Sequence, residues 1–378
     1  MRCKWVRTVF LGAAALAAVT LVSGQEGPKR DVGDTVAKPR KKDAGTESDL
    51  PKIPSKRSPK DKQALPEGVP TFRSDVNIVS VDVAVLDNRG QFIPNIPKGN
   101  FRILEDNVPQ QVANFSTGGE APMTIALVIE FSNLFQYYWG ETWYQTLTAS
   151  YGFLETLKPE DYVAIVAYDL RPEILSDFST DKRKAHEAMQ RLRIAGFSES
   201  NLFDALTDVA DRMAPIEGRK AIVLIASGID TFSKITFGET RKRLQNAGVA
   251  IYALGLMQAL REWYDSRGYM DSIARLDFLQ ADNQLRTFTS ETGGQAFFPR
   301  FYGEFPGIFG AISQALRSQY SIGYIPTNQV RDGKFRKIKV ELINPATNEP
   351  LRITNEKSKP IKYKILAKTG YTAPREVE

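Results

Sequence analysis

Four stretches of the chain are almost continuously apolar over the length of a strand: Thr124 to Phe131, Tyr162 to Asp169, Ala221 to Ala226 and Val249 to Leu256. Runs without alternation suit strands of a parallel sheet that is covered on both faces. Between them the spacing predicts helices over Gln136 to Leu157, Asp181 to Leu192, Leu202 to Met213 and Gly238 to Ala247, with a short edge strand at Glu173 to Phe178. After Leu256 the pattern reads as a polar-aromatic insertion. A helix around Asn283 to Thr292, a strand at Gln295 to Phe298 and a helix around Phe305 to Ser318 follow. Strand alternating with helix over this length predicts an α/β fold with a doubly wound, mostly parallel, Rossmann-like sheet. Ligands on such sheets bind beyond the carboxyl ends of the strands.

The flanks follow a different rule. Val79, Val81, Val83 and Val85 alternate with Ser80, Asp82 and Ala84, the period of a half-buried strand, and Asp87 to Gly90 turns the chain. Phe101 to Glu105 and Gln111 to Phe115 read as two more strands around an Asp106-Asn107 turn. These are too few to close a sandwich alone. Beyond Arg317, strand character returns at Tyr320 to Ile325, Phe335 to Ile343 and Ile361 to Ala367. The simplest arrangement pairs the two ends into one small β module, with Val81, Val83, Phe101, Phe115, Ile338, Val340 and Ile365 in a shared core.

Charge divides the chain as well. Arg2, Lys4 and Arg7 precede an apolar run from Val9 to Val22 and the small residues Ser23 and Gly24, which reads as a secretory signal cleaved before Gln25. Residues 25–70 are rich in Pro and Lys and have no apolar period, so they predict a disordered basic linker. The formal charge of +6 is concentrated in these two segments, leaving about −1 after Lys62. A nucleic-acid partner is therefore not expected, nor is a transmembrane segment after signal cleavage. The layout is then 1–24 signal peptide, 25–70 linker, 71–119 with 320–378 as the discontinuous β module, and 120–319 as the α/β domain. Cys3 is the only cysteine and His186 the only histidine, which excludes a disulfide framework and Cys- or His-rich metal sites. No nucleophile elbow, phosphate loop or dinucleotide fingerprint is present.

Three segments carry a resemblance: Glu130-Phe131-Ser132-Asn133-Leu134 at the end of the first apolar strand, Ser200 to Leu206 opening a helix, and Arg219 to Asp230. Together they resemble a von Willebrand factor type A (vWA) domain. With Glu291 to Pro299, Tyr320 to Tyr324 and Asp332 to Ile338, the chain is similar to secreted "VWFA-related" proteins of acidobacteria. The resemblance implies a vWA fold and a metal-ion-dependent adhesion site built from Asp-x-Ser-x-Ser, a Thr and a second Asp. Against that pattern Glu130 replaces the first Asp, Ser132 fits, Leu134 replaces the second Ser, Ser200 replaces the Thr and Ser227 replaces the last Asp. Losing a carboxylate and a hydroxyl opposes a hard divalent cation. The expected site is degenerate: Glu130, Ser132, Ser200 and the nearby Asp230 would give at most weak Mg²⁺ or Mn²⁺ binding, and no other cofactor is expected.

Aromatic residues crowd the same loops. Tyr138, Trp139, Trp263 and Tyr264 join Ser227 as candidate ligand-binding residues, since Tyr and Trp dominate binding hot spots. The expected function is a non-enzymatic, secreted, periplasmic or envelope-associated binding or adhesion protein that recognises a protein or envelope polymer at the carboxyl edge of the sheet. The alternative is a hydrolase using Glu130 or Asp230 as general acid or base in an aromatic-lined cleft.

Overall fold

A computed structural model describes residues 78–118, 122–132, 147–148, 150–192, 199–268, 272–354 and 359–375. Strands β1 (Val79–Asp87), β2 (Phe101–Glu105), β3 (Val108–Gln110) and β4 (Val112–Thr117) lead into β5 (Met123–Glu130), the centre of the α/β sheet. Next come helix α1, described at 147–148 and 150–155, β6 (Tyr162–Tyr168), β7 (Pro172–Ser179), α2 (Lys182–Gln190) and α3 (Leu202–Met213). The sheet is completed through β8 (Arg219–Ala226), α4 (Phe237–Ala247), β9 (Ala250–Gly255), α5 (Gln258–Ser266), α6 (Ser272–Thr292), β10 (Ala296–Phe297) and α7 (Phe305–Arg317). The strand order is β10-β9-β8-β5-β6-β7, parallel throughout except for β7, which runs antiparallel to β6 at the edge.

Every residue of β5 is buried, which is why its sequence lacks alternation. Ile125, Leu127 and Ile129 pack on one face with Phe153 of α1, Met189 of α2 and Phe309 of α7. Ala126 and Val128 pack on the other with Leu206 of α3, Leu244 of α4 and Phe288 of α6. The helices are bounded as their ends dictate: Asp181 caps α2 by accepting from Arg183 N, Thr236 caps α4 by accepting from Glu239 N, and Gly248 ends α4 in the left-handed region. At the amino edge the fully buried Asp161 accepts from Met123 N at 3.0 Å and Lys158 N at 2.8 Å, and pairs with Arg317. Burial alone would raise its pKa, but the Arg317 hydrogen bond and the two N–H groups hold it below the usual carboxylate value.

The remaining strands are β11 (Tyr320–Tyr324), β12 (Phe335–Leu342), β13 (Ile353–Thr354), β14 (Pro360–Ile361), β15 (Tyr363–Ala367) and β16 (Gly370–Thr372). β11, β12, β15 and β16 join the N-terminal strands in two four-stranded sheets, β15-β1-β11-β4 and β16-β12-β2-β3, while β13 and β14 pair with each other. Val83 lies opposite Tyr320 and Ala367, while Val340 lies opposite Ile103. Both sheets turn apolar residues into one core, in which Val81, Val83, Phe101 and Ile338 are buried and Phe115, Val340 and Ile365 pack against them. Tyr320 pins the entry to β2, donating to Ile93 O at 2.8 Å and accepting from Ile96 N at 3.0 Å.

Two sequence expectations change. The hairpin partner of β2 across Asp106-Asn107 is β3, not a strand at 111–115; both turn residues have positive φ, and the chain then crosses to β4 in the other sheet, beside β11. The segment after Leu256 is not an irregular insertion but contains α5, and α6 begins at Ser272 rather than near Asn283. Residues 275–280 of α6 are mostly exposed, Leu276 and Leu279 included, so the apolar positions of this half mark no buried face. The ion pairs Arg261–Asp282, Arg300–Glu262 and Arg275–Asp265 lie in this region. Among the described residues no helix is long and apolar enough to cross a membrane.

Ending the chain after Ile325 removes β12 and β15 and so strips partners from β2 and β1. Limited proteolysis should then cut readily within 78–117 while 123–317 stays protected, because the exposed apolar strand faces lose their burial. Protection of 78–117 in that truncation would contradict the shared core.

Candidate functional site

The strand order reverses at β5, with β6 on one side and β8 on the other. Such a switch point opens a crevice at the carboxyl ends of the strands. β5 ends there in Glu130, which is 1% exposed. Its Oε2 accepts from the Ser227 N–H and the Ser227 hydroxyl, both at 2.7 Å, and from the Tyr168 hydroxyl at 3.4 Å. Its Oε1 accepts from the Ser132 hydroxyl at 2.9 Å. Burial pushes the Glu130 carboxyl above the usual glutamate value, and the bonds from Ser227, Ser132 and Ser200 offset part of that rise. Burial, reinforced by the Glu130 charge, also raises the Tyr168 phenol well above the usual tyrosine value.

The loop after β8 makes this arrangement possible. Gly228 has φ of 85°, and a Cβ there would lie 2.8 Å from Ala281 O, so the turn after Ser227 requires glycine. The loop is then fastened to the start of α3. Asp230 Oδ1 accepts from Phe203 N at 3.0 Å and the Ser233 hydroxyl at 2.6 Å. Asp204 accepts from Lys234 N and Ile235 N, while Asn201 donates to Phe232 O and accepts from Phe232 N. Carboxylates in the first turn of a helix are stabilised by its dipole and free N–H groups.

Glu130, Ser132, Ser200 and Ser227 are therefore brought together, all buried. Ser227 turns its hydroxyl to Glu130 rather than to a ligand. Ser200 donates to Ile229 O. Asp230 caps α3 through Oδ1 and its charge reaches Tyr168, and among the described residues no group of three acidic, His or Cys side chains is arranged to hold a metal. Leu134, Tyr138 and Trp139 lie outside the described residues. Trp263 and Tyr264 fall on α5, with side chains outside the described set. His186 bonds Lys182 O and Glu155 and stacks on Tyr151, a surface role on α2.

Sequence reasoning missed Phe232. Its backbone is clamped to Asn201, yet its side chain is 69% exposed at the tip of the loop. A single Phe in a polar turn carries no pattern that would have revealed it.

Residues 125–300 match the family model of the von Willebrand factor type A domain. Among solved structures, proximal thread matrix protein 1 from the mussel byssus is similar over 53% of this chain and 49% of its own, at 11% identity and a TM-score of 0.41. A pilus adhesin of Lactobacillus rhamnosus GG is similar over 74% of this chain and 48% of its own, at 9% identity and a TM-score of 0.41. A von Willebrand factor type A protein from Catenulispora acidiphila is similar over 81% and 76%, at 11% identity and a TM-score of 0.41. The chain thus spans about half the length of the mussel and pilus proteins. No curated protein matches it.

A glutamate whose folded pKa is raised binds its proton more tightly in the folded than in the unfolded chain. Its contribution to stability therefore falls as pH rises from the ordinary value of 4.5 to the raised one. Glu130→Gln removes that titration and keeps an oxygen for the Ser227 donors. Urea unfolding at pH values from about 4 to 8 should show the stability of Glu130→Gln gaining on the natural chain as pH rises through that window. Glu130→Ala, which leaves the buried Ser227 N–H unpaired, should lose about 1–3 kcal/mol.

Proposed function

We propose that the chain is a secreted or envelope-associated vWA-type binding protein whose α/β domain, within residues 120–319, recognises a protein or envelope polymer at the carboxyl edge of the sheet without a divalent metal. The family match over 125–300 supports the vWA part of this reading. The apolar run before Gly24 supports export.

The observation that carries the metal-free reading is the engagement of Glu130. In the adhesion-site pattern, hydroxyl oxygens and carboxylates turn lone pairs to a hard cation. Here the Ser132 and Ser227 hydroxyls direct their protons at the Glu130 carboxylate, and the Ser227 N–H donates to it as well. Both oxygens of the one carboxylate are already hydrogen-bonded within the fold, and among the described residues no group of three acidic, His or Cys side chains is placed to hold a metal, a set that does not fit Mg²⁺ or Mn²⁺. Recognition then falls to exposed side chains around the crevice, with Phe232 held on a clamped backbone as an anchor.

A hydrolase reading has one supporting feature, since a buried carboxyl with a raised pKa is typical of general acids. The geometry favours binding instead. Both Glu130 oxygens are already bonded within the fold, and Asp230 is engaged by α3, which supports a structural role for the two carboxyls over an acid–base one.

Calorimetric titration with Mg²⁺ or Mn²⁺ should show no binding tighter than about millimolar. The variant Ser227→Asp with Leu134→Ser, which restores the missing oxygens, should gain it. Retention of the chain on bacterial envelope fragments should survive EDTA and fall at least about tenfold in Phe232→Ser. Release by EDTA would overturn the metal-free reading.

A further inference from the structure

At the amino edge of the α/β sheet, away from the crevice, a small open pocket lies where the sheet meets the β sandwich. Ser80 and Asp82 of β1 form one part of its lining, and Gln319 and Lys368 another. Lys368 is placed by backbone pairing, with Thr292 bridged to it and Thr369 N donating to Glu291 O at 3.0 Å. A Cβ on Gly293 would come within 2.8 Å of Lys368 N, so this seam is tightly built.

The charges in the pocket are unusual in their arrangement. Asp82 accepts from the Ser321 hydroxyl at 2.7 Å, and Lys368 is half-buried. Among the described residues neither forms an ion pair, although both line the same pocket. Desolvation holds the Lys368 ammonium below the usual lysine pKa, opposed by the Asp82 charge and assisted by Lys220. The last turns of α4 and α6 also line the pocket, at Gly248 and at Thr292-Gly293, so the carboxyl ends of two helix dipoles add negative potential. A purely anionic ligand would meet Asp82 and these helix ends, and a purely cationic one would meet Lys368. A ligand carrying both charges complements both walls at once.

We propose that this pocket binds a small zwitterion of the α-amino-acid class, its carboxylate on Lys368 with the Ser80 hydroxyl, its ammonium on Asp82 with the Gln319 side-chain oxygen. Gln319 keeps that oxygen available because its amide nitrogen is the group bonded to Tyr252. Gly248, beside which a Cβ would meet only open space, leaves room for a compact ligand at the end of α4, and Leu244, Val249 and Ala250 supply the apolar part of the lining usual for such sites. This proposal stands apart from the reading of the crevice, since no residue is shared.

Calorimetric titration of the chain with glycine, acetate and ethylammonium at neutral pH tests it. Glycine should bind, and acetate and ethylammonium, each carrying half of its charge, should bind at least about tenfold more weakly. Lys368→Met and Asp82→Asn should each weaken glycine by about tenfold or more, with circular dichroism confirming that the variants fold. If a variant does not fold, the comparison of the three ligands on the unaltered chain decides. Absence of glycine binding up to about 10 mM, acetate binding as well as glycine, or undiminished binding by folded Lys368→Met would each overturn the proposal.

Discussion

A carboxyl 1% exposed at the end of the most buried strand must find its hydrogen bonds inside the fold, and the loop after β8 is arranged around that demand. Glu130 draws three elements to one point. β5 carries it, Ser132 follows it, and the loop after β8 brings a backbone N–H and a hydroxyl from 97 residues away. The same loop can meet Glu130 only because Gly228 turns sharply against α6. The loop is then fixed on its other side by Asp230, Asp204 and Asn201 at the start of α3. A hydrogen-bonded carboxyl thus joins the end of β5 to the loop after β8.

A second buried carboxylate, Asp161, serves the opposite edge. It holds the first residue of β5, the end of α1's loop and Arg317 at the exit of α7, immediately before the chain enters the β sandwich. Charge-assisted bonds of this kind are stronger than neutral ones and are costly to break when one partner is left buried. The sandwich itself depends on long-range pairing, since β1 sits between β11 and β15 and β2 between β3 and β12. The α/β sheet is consequently inserted between the two halves of the sandwich sequence, and both of its edges are tied to fixed points.

This organisation places two different environments at the two ends of one sheet. At the carboxyl edge the Glu130 carboxyl is hydrogen-bonded within the fold, and Phe232 presents apolar surface. The amino edge keeps separated opposite charges in a pocket. Macromolecular recognition favours large exposed side chains on a fixed backbone, whereas small polar ligands favour concave sites with a few placed charges.

Much of the architecture was legible along the chain. Continuous apolar runs marked the parallel strands because both of their faces are covered, and strict alternation at Val79 to Val85 marked a strand with one apolar face in the sandwich core. Leu202–Met213 was readable to the residue because its buried positions follow helical spacing. The first half of α6 was not, because its apolar residues Leu276 and Leu279 stay exposed and so trace no covered face. The sequence expectation also put Glu130, Ser132, Ser200 and Asp230 in one site with Ser227 beside it, and the structure brings Glu130, Ser132, Ser200 and Ser227 together. Only the tertiary structure decided what they do, since the direction of a hydroxyl proton and the capping of α3 by Asp230 depend on contacts 27 to 97 residues apart. The same reason hid Phe232 and the Lys368 pocket: periodicity records which face of an element is covered, but not which distant side chains the fold leaves exposed or unpaired.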